Sequence, residues 1–129
     1  MAPVADAAIR VLIGVAAASA AVGVAALGRR LERRDVVKSP LDLTRIEGRV
    51  VLFSDAACAR CDEARAALET IGASFEEIAS DTHPGMLEAA GVTAVPLIVV
   101  RRPDGSEAGR IAGKVSRRRL RRLVRLSTG

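Results

Sequence analysis

The sequence predicts an α/β domain of order β-α-β-α-β-β-α, preceded by one N-terminal transmembrane helix. Three observations carry this. Val11 to Leu27 is an apolar run close to the length of a bilayer core. Two short continuous apolar runs, Val50-Val51-Leu52-Phe53 and Pro96-Leu97-Ile98-Val99-Val100, read as buried strands, with helix-spaced segments between them. Pro103-Asp104-Gly105 then forms a turn between the third strand and a fourth.

With Ala7 to Ile9 and Gly28, the first run reaches about 20 residues, and Arg10 is close enough to its end to reach headgroups. Arg29, Arg30, Arg33 and Arg34 follow at once, the reverse of a secretory signal, so the run reads as an uncleaved single-pass anchor over residues 1–28 in the cell membrane. By the positive-inside rule those arginines place the domain in the cytoplasm. The many Ala and Gly residues allow close helix approach, which admits a membrane-protein partner. Residues 29–47 read as a basic polar connector broken at Ser39-Pro40, and residues 48–129 as the domain.

Within that domain, the first strand is followed by Cys58 in a small-residue turn and by a helix over Cys61 to Ile71. Cys61, Ala64, Leu68 and Ile71 share one face, Asp62 and Glu63 lie in the first turn, and Gly72 ends the helix. Ser74 to Ala79 is a second strand. Thr82-His83-Pro84 opens a second helix, with Pro84 in its first turn, that runs to Gly91. Glu107 to Ile111 returns as the fourth strand in a hairpin, and Ser116 caps a last helix over Arg117 to Leu126. Strand–helix–strand order implies parallel pairing, and the hairpin adds antiparallel strands.

Half of the residues are apolar, but there is no Trp or Tyr and only two Phe, Phe53 and Phe75, so the core is aliphatic. Charge is segregated: Glu47 to Glu107 holds eleven acids and five bases, whereas Arg110 to the end holds eight bases and no acid. Basic ends point to an anionic surface. The middle lacks basic residues interleaved with aromatics, and no specific nucleic-acid partner is expected. Around Leu120, Leu123 and Val124 the last helix crowds Arg117, Arg118, Arg119, Arg121, Arg122 and Arg125. That pattern fits either the solvated face of a core helix or a contact with anionic headgroups.

Cys58 and Cys61 are the only cysteines, and the loop they would close is too short to staple a fold. Redox chemistry or half of a metal site remains. Zinc wants four ligands, and the other soft ligand is His83, which reads as a helix-start residue. No phosphate loop, Ser/His/Asp set or catalytic carboxylate pair is present, and neither cofactor nor metal is expected.

Val-Leu-Phe-Ser-Asp-Ala-Ala-Cys-Ala-Arg-Cys at 51–61 and Gly-Val-Thr-Ala-Val-Pro-Leu-Ile-Val-Val at 91–100, in this element order, resemble the thioredoxin/glutaredoxin superfamily over about residues 48–126. The resemblance implies a thioredoxin-like sandwich, a cis Pro96 beside Cys58, and Val95 offering its backbone to a substrate. Membrane-tethered members of the superfamily often work outside the cytoplasm. The chain departs from the thioredoxin pattern in having Ala57 before the first cysteine, Ala59-Arg60 between the pair, and no acid in the strand Val50 to Phe53.

A thiolate is the attacking group in disulfide exchange, and a helix N-terminus lowers a thiol's pKa. Cys58, at the helix tip, is therefore expected to be the nucleophile, Cys61 on the apolar face the resolving thiol, and Arg60 a nearby charge that tunes Cys58. The expected function is a membrane-anchored thiol-disulfide oxidoreductase that reduces protein or small-thiol disulfides. The alternative is a non-catalytic thioredoxin-fold binding or assembly subunit of a membrane complex.

Overall fold

A computed structural model describes residues 2–129, with side chains at 4–27 and 39–129. The chain divides into two units, residues 1–34 and 35–129. Helix α1 spans Ala2–Lys38. Its stretch Val4–Leu27 is long and apolar enough to cross a bilayer, and none of it is buried. Its 24 residues rise about 36 Å, against a bilayer core of about 30 Å. The side chains of Arg29, Arg30, Arg33 and Arg34, on which the expected orientation rests, lie outside the described residues. The backbone stays helical through Lys38 because nothing between Gly28 and Lys38 breaks a helix, and it stops at Ser39, which Pro40 steers out of helical geometry.

The second unit is a mixed sheet in the order β2-β1-β3-β4 with helices on its faces. The strands are β1 (Val50–Ser54), β2 (Glu76–Ala79), β3 (Leu97–Arg101) and β4 (Glu107–Ala112). The helices are α2 (Ala59–Thr70), α3 (Met86–Ala90) and α4 (Arg117–Thr128). The β1–α2–β2 crossover makes β1 and β2 parallel, with Leu52 opposite Glu77. β3 runs antiparallel to β1, with Leu97 opposite Phe53, so the second strand–helix–strand passage is not a parallel crossover.

β1 and β3 are continuously apolar because both faces of the sheet are covered. Val50, Leu52, Ile98, Val100 and Ile111 meet Ala64 and Leu68 of α2 and Leu120 of α4. On the other face Val51, Phe53, Ile78, Leu97 and Val99 pack with Ile46 and Ala90. The β3–β4 hairpin turns at Gly105 (φ 87°), where Asp104 Oδ1 accepts from Ser106 N at 2.8 Å. Its register slips between Val100 and Arg101, so Ala108 is bulged between Gly109 and Glu107.

α3 differs from expectation. Gly85 adopts φ 78° at its N-cap, a left-handed conformation that cannot continue into a helix. Thr82, His83 and Pro84 therefore belong to the preceding turn, and Pro84 is not in the helix's first turn. Gly91 (φ 81°) ends the helix as expected, and a Cβ there would sit 3.1 Å from the Pro40 carbonyl oxygen.

Residues 41–46 form part of the second face. Ile46 is buried, Leu41 and Leu43 pack beside it, and Asp42 N donates to Ala90 O at 3.0 Å. Arg101 fixes this segment: Nε donates to Gly48 O at 3.1 Å, Nη2 to Gly48 O at 2.6 Å and to Ile46 O, and Nη1 to Leu43 O at 3.4 Å. Arg110, buried on β4, holds both carboxylate oxygens of Glu107 and donates to Ser39 O at 2.5 Å.

Candidate functional site

The site begins where β1 ends. Ser54 is the last strand residue and is buried, and the chain then turns through Asp55, Ala56 and Ala57. Asp55 Oδ1 accepts from Ala56 N at 2.7 Å and from Ser80 Oγ at 2.8 Å, tying this turn to the residue after β2. Cys58 follows as the N-cap of α2, with extended backbone angles (φ −134°, ψ 100°). Its carbonyl accepts from Cys61 N at 3.1 Å and Asp62 N at 3.2 Å, and its Sγ accepts from Cys61 N at 3.1 Å. The sulfur thus occupies the position where capping oxygens meet unpaired helix N–H groups.

Cys58 and Cys61 are joined in a disulfide, with Cα atoms 5.2 Å apart. Cys58 is half-buried. Cys61 is fully buried on the face that continues through Ala64 and Leu68. Arg60 is exposed on the first turn of α2 and, among the described residues, pairs with no acid. The Val95–Pro96 peptide is cis. Val95 is half-buried against the Phe53 face of the sheet. Pro96 is buried, and its carbonyl accepts from Gly113 N at 3.2 Å. Because Leu97 pairs with Phe53, Pro96 lies at the same end of the sheet as Ser54, the end from which the chain enters Cys58.

One group at this end is not among the residues the sequence singled out. Glu77 sits on β2 on the α2 face of the sheet, accepting from Ser54 Oγ at 2.9 Å and from three nitrogen–oxygen contacts of Arg65 at 2.5–3.0 Å. Arg65 also donates to Asp62, beside Cys61, at 2.8 Å. Arg65 holds the Glu77 carboxyl below its ordinary range, against the opposing effect of burial and with help from Ser54. Glu77 and Asp62 in turn raise the Arg65 guanidinium. Only Asp62 and Arg65, spaced i, i+3 on one helix, carried a local signal of this network.

His83 is exposed in the turn before α3, with Nδ1 3.0 Å from Thr82 Oγ1. Among the described residues no three His, Cys, Asp or Glu side chains group in a way that could hold a metal ion. A cavity of about 560 Å³ lined by Val50, Ala73, Phe75 and Val124 lies at the N-terminal end of β1, the pole opposite the cysteines.

No protein-family model matches the chain. No curated protein matches it by sequence. Its fold matches solved structures. A mutant thioredoxin from Halobacterium salinarum is 23% identical, with a TM-score of 0.52 over 62% of this chain and 74% of that one. A thio-disulfide isomerase from Thermus thermophilus is 17% identical, with a TM-score of 0.50 over 63% of this chain and 79% of that one. The fold is thioredoxin-like: a mixed α/β domain with a four-stranded sheet, with an apolar helix on its N-terminal side.

Proposed function

We propose that this protein is a thiol-disulfide oxidoreductase held at a membrane by α1, with Cys58 and Cys61 as its redox pair. The observation that carries the reading is the placement of the disulfide, with one sulfur capping the N-terminus of α2 and the other buried three residues on. The fold shared with a thioredoxin and a thio-disulfide isomerase supports it.

In the reduced protein, Cys58 is the thiolate. The Cys61 N–H directed at Sγ and the positive end of the helix dipole favour the charged form, and exposed Arg60 adds a positive charge. The Cys58 thiolate attacks one sulfur of a substrate disulfide, forming a mixed disulfide and releasing the other substrate sulfur as a thiolate that takes up a proton. Cys61 then loses its proton and attacks Cys58 Sγ. The second substrate thiol leaves, and the Cys58–Cys61 disulfide forms. The substrate gains two electrons and the pair loses two. A dithiol donor of lower potential must return them before another turnover.

Pro96 and Val95 border the same end of the sheet and offer the substrate its docking strand, with the backbone of Val95 as hydrogen-bonding partner. The full burial of Cys61, against a half-buried Cys58, supports attack by Cys58 and resolution by Cys61.

The test is turnover of a model protein disulfide with a dithiol donor. Cys58→Ser is expected to lose all activity. Cys61→Ser is expected to stall as a covalent adduct that a thiol reductant releases. Undiminished turnover by Cys58→Ser sinks the proposal. Full cellular function of the Cys58→Ser, Cys61→Ser double variant would instead favour a binding or assembly role.

A further inference from the structure

α4 is built against its own stability. Its first turn carries Arg117, Arg118 and Arg119 and no acid, so three cations meet the positive end of the helix dipole. Arg117, Arg121 and Arg125 form one i, i+4 row and Arg118 and Arg122 another, so like charges are neighbours along both rows. All five are exposed, and none has an acidic partner among the described residues. Among the described residues only Arg119 is engaged, donating to Arg110 O at 3.2 Å. The helix is held from beneath by Leu120, fully buried, with Leu123 and Val124 packed beside it. A face that costs stability and has no acidic partner among the described residues is suited to an external polyanion.

We propose that the outer face of α4 docks on anionic lipid headgroups. Every base in the helix is Arg and none is Lys, and the guanidinium fork suits phosphate oxygens. Leu126, 43% exposed, follows Arg118 and Arg122 on the same row and gives the face an apolar edge, as interfacial helices have. The chain lacks the Trp and Tyr on which nucleic-acid bases stack, and Phe53 is buried. The choice of lipid over other polyanions rests on the reading of α1 as a membrane helix, since Val4–Leu27 would bring the domain to a bilayer. Arg49 Nη1 donates to Ser127 O at 2.9 Å, which puts the C-terminal end of α4 at the start of β1. The end of α4 that carries Leu126 is therefore at the pole away from the cysteines.

The test uses the full chain in vesicles, with Leu126→Trp as a fluorescent reporter in a protein otherwise free of Trp. Lipids carry a spin-label quencher at the headgroup and are either pure phosphatidylcholine or about one-third phosphatidylglycerol. Quenching is expected in the anionic vesicles alone and is reversed by salt. Each of Arg118→Gln, Arg121→Gln, Arg122→Gln and Arg125→Gln is expected to lower the docked-to-undocked ratio about fivefold. Arg118→Glu is expected to weaken docking while raising the Tm, whereas a purely structural arginine would lower the Tm when reversed. Equal quenching in both lipids overturns the proposal, as does its absence in both from protein that floats with the vesicles. Shielding of the reporter by a DNA duplex but not by anionic lipid also overturns it. If the chain does not float with neutral vesicles, the reading of α1 fails. Flotation with anionic vesicles alone then still supports docking by α4, and flotation with neither overturns it.

Discussion

Arg65 of α2 grips Glu77 of β2 through both carboxylate oxygens: Nε lies 3.0 Å from each, and Nη2 lies 2.5 Å from Oε1. Ser54 donates to the same Oε1. The three residues join the first turns of α2, whose N-cap is Cys58, to β1 and β2, so the helix is fastened to the sheet by charge as well as by the apolar contacts of Ala64 and Leu68.

That link gives the fold a pH dependence with a defined sign. Glu77 has a lower pKa folded than unfolded, chiefly because of Arg65. Its contribution is full above the ordinary glutamate pKa of about 4.3 and is lost as the pH falls through the lower folded value. With both side chains partly in solvent, the contribution is about 1 kcal/mol. Urea denaturation of Glu77→Gln and wild type should therefore differ by about that amount at neutral pH and converge on acidification. A constant difference down to the acid limit would count against this account.

Arg60 is expected to act on Cys58 through charge alone, being exposed and, among the described residues, unpaired. In the reduced protein, the pH midpoint of Cys58 alkylation should lie below the ordinary thiol value of about 8.5. Arg60→Glu should raise it by roughly half a unit, the size of an exposed charge interaction, and added salt should shrink the difference. An unchanged midpoint would leave the helix N-terminus as the whole cause.

Arg101 holds three carbonyls of residues 43–48 with one guanidinium. Arg101→Leu leaves those carbonyls short of donors and should destabilise the domain by about 1–3 kcal/mol. Limited proteolysis should then cut first between residues 39 and 49, ahead of the sheet. Cleavage elsewhere would show that Leu41, Leu43 and Ile46 hold the segment by packing alone.

The strands were legible because a sheet covered on both faces writes itself as unbroken apolar runs, and Val50 to Phe53 and Leu97 to Val100 are such runs. The hairpin was legible from Pro103-Asp104-Gly105, whose chemistry is local. The partnership of Glu77 with Ser54 and Arg65 was not, because it depends on which face of β2 meets α2, and pairing with β1 decides that. The start of α3 was misread because the left-handed turn at Gly85 overrides the preference of Pro84 for a first helical turn. At Arg29 the sequence marks a change of polarity without a change of backbone, since α1 runs on to Lys38. At the candidate site, the cysteine pair was legible as a helix-tip motif from spacing, whereas the side chains bracing that tip come from distant strands.

The disulfide also makes the protein its own optical gauge. With no Trp or Tyr in 129 residues, cystine is the chromophore left at the long-wavelength edge of the protein's ultraviolet spectrum, beyond the absorption of Phe53 and Phe75. Opening the Cys58–Cys61 bond should bleach that edge and closing it should restore it. The oxidation state of the unlabelled wild-type chain can thus be followed in real time by absorbance.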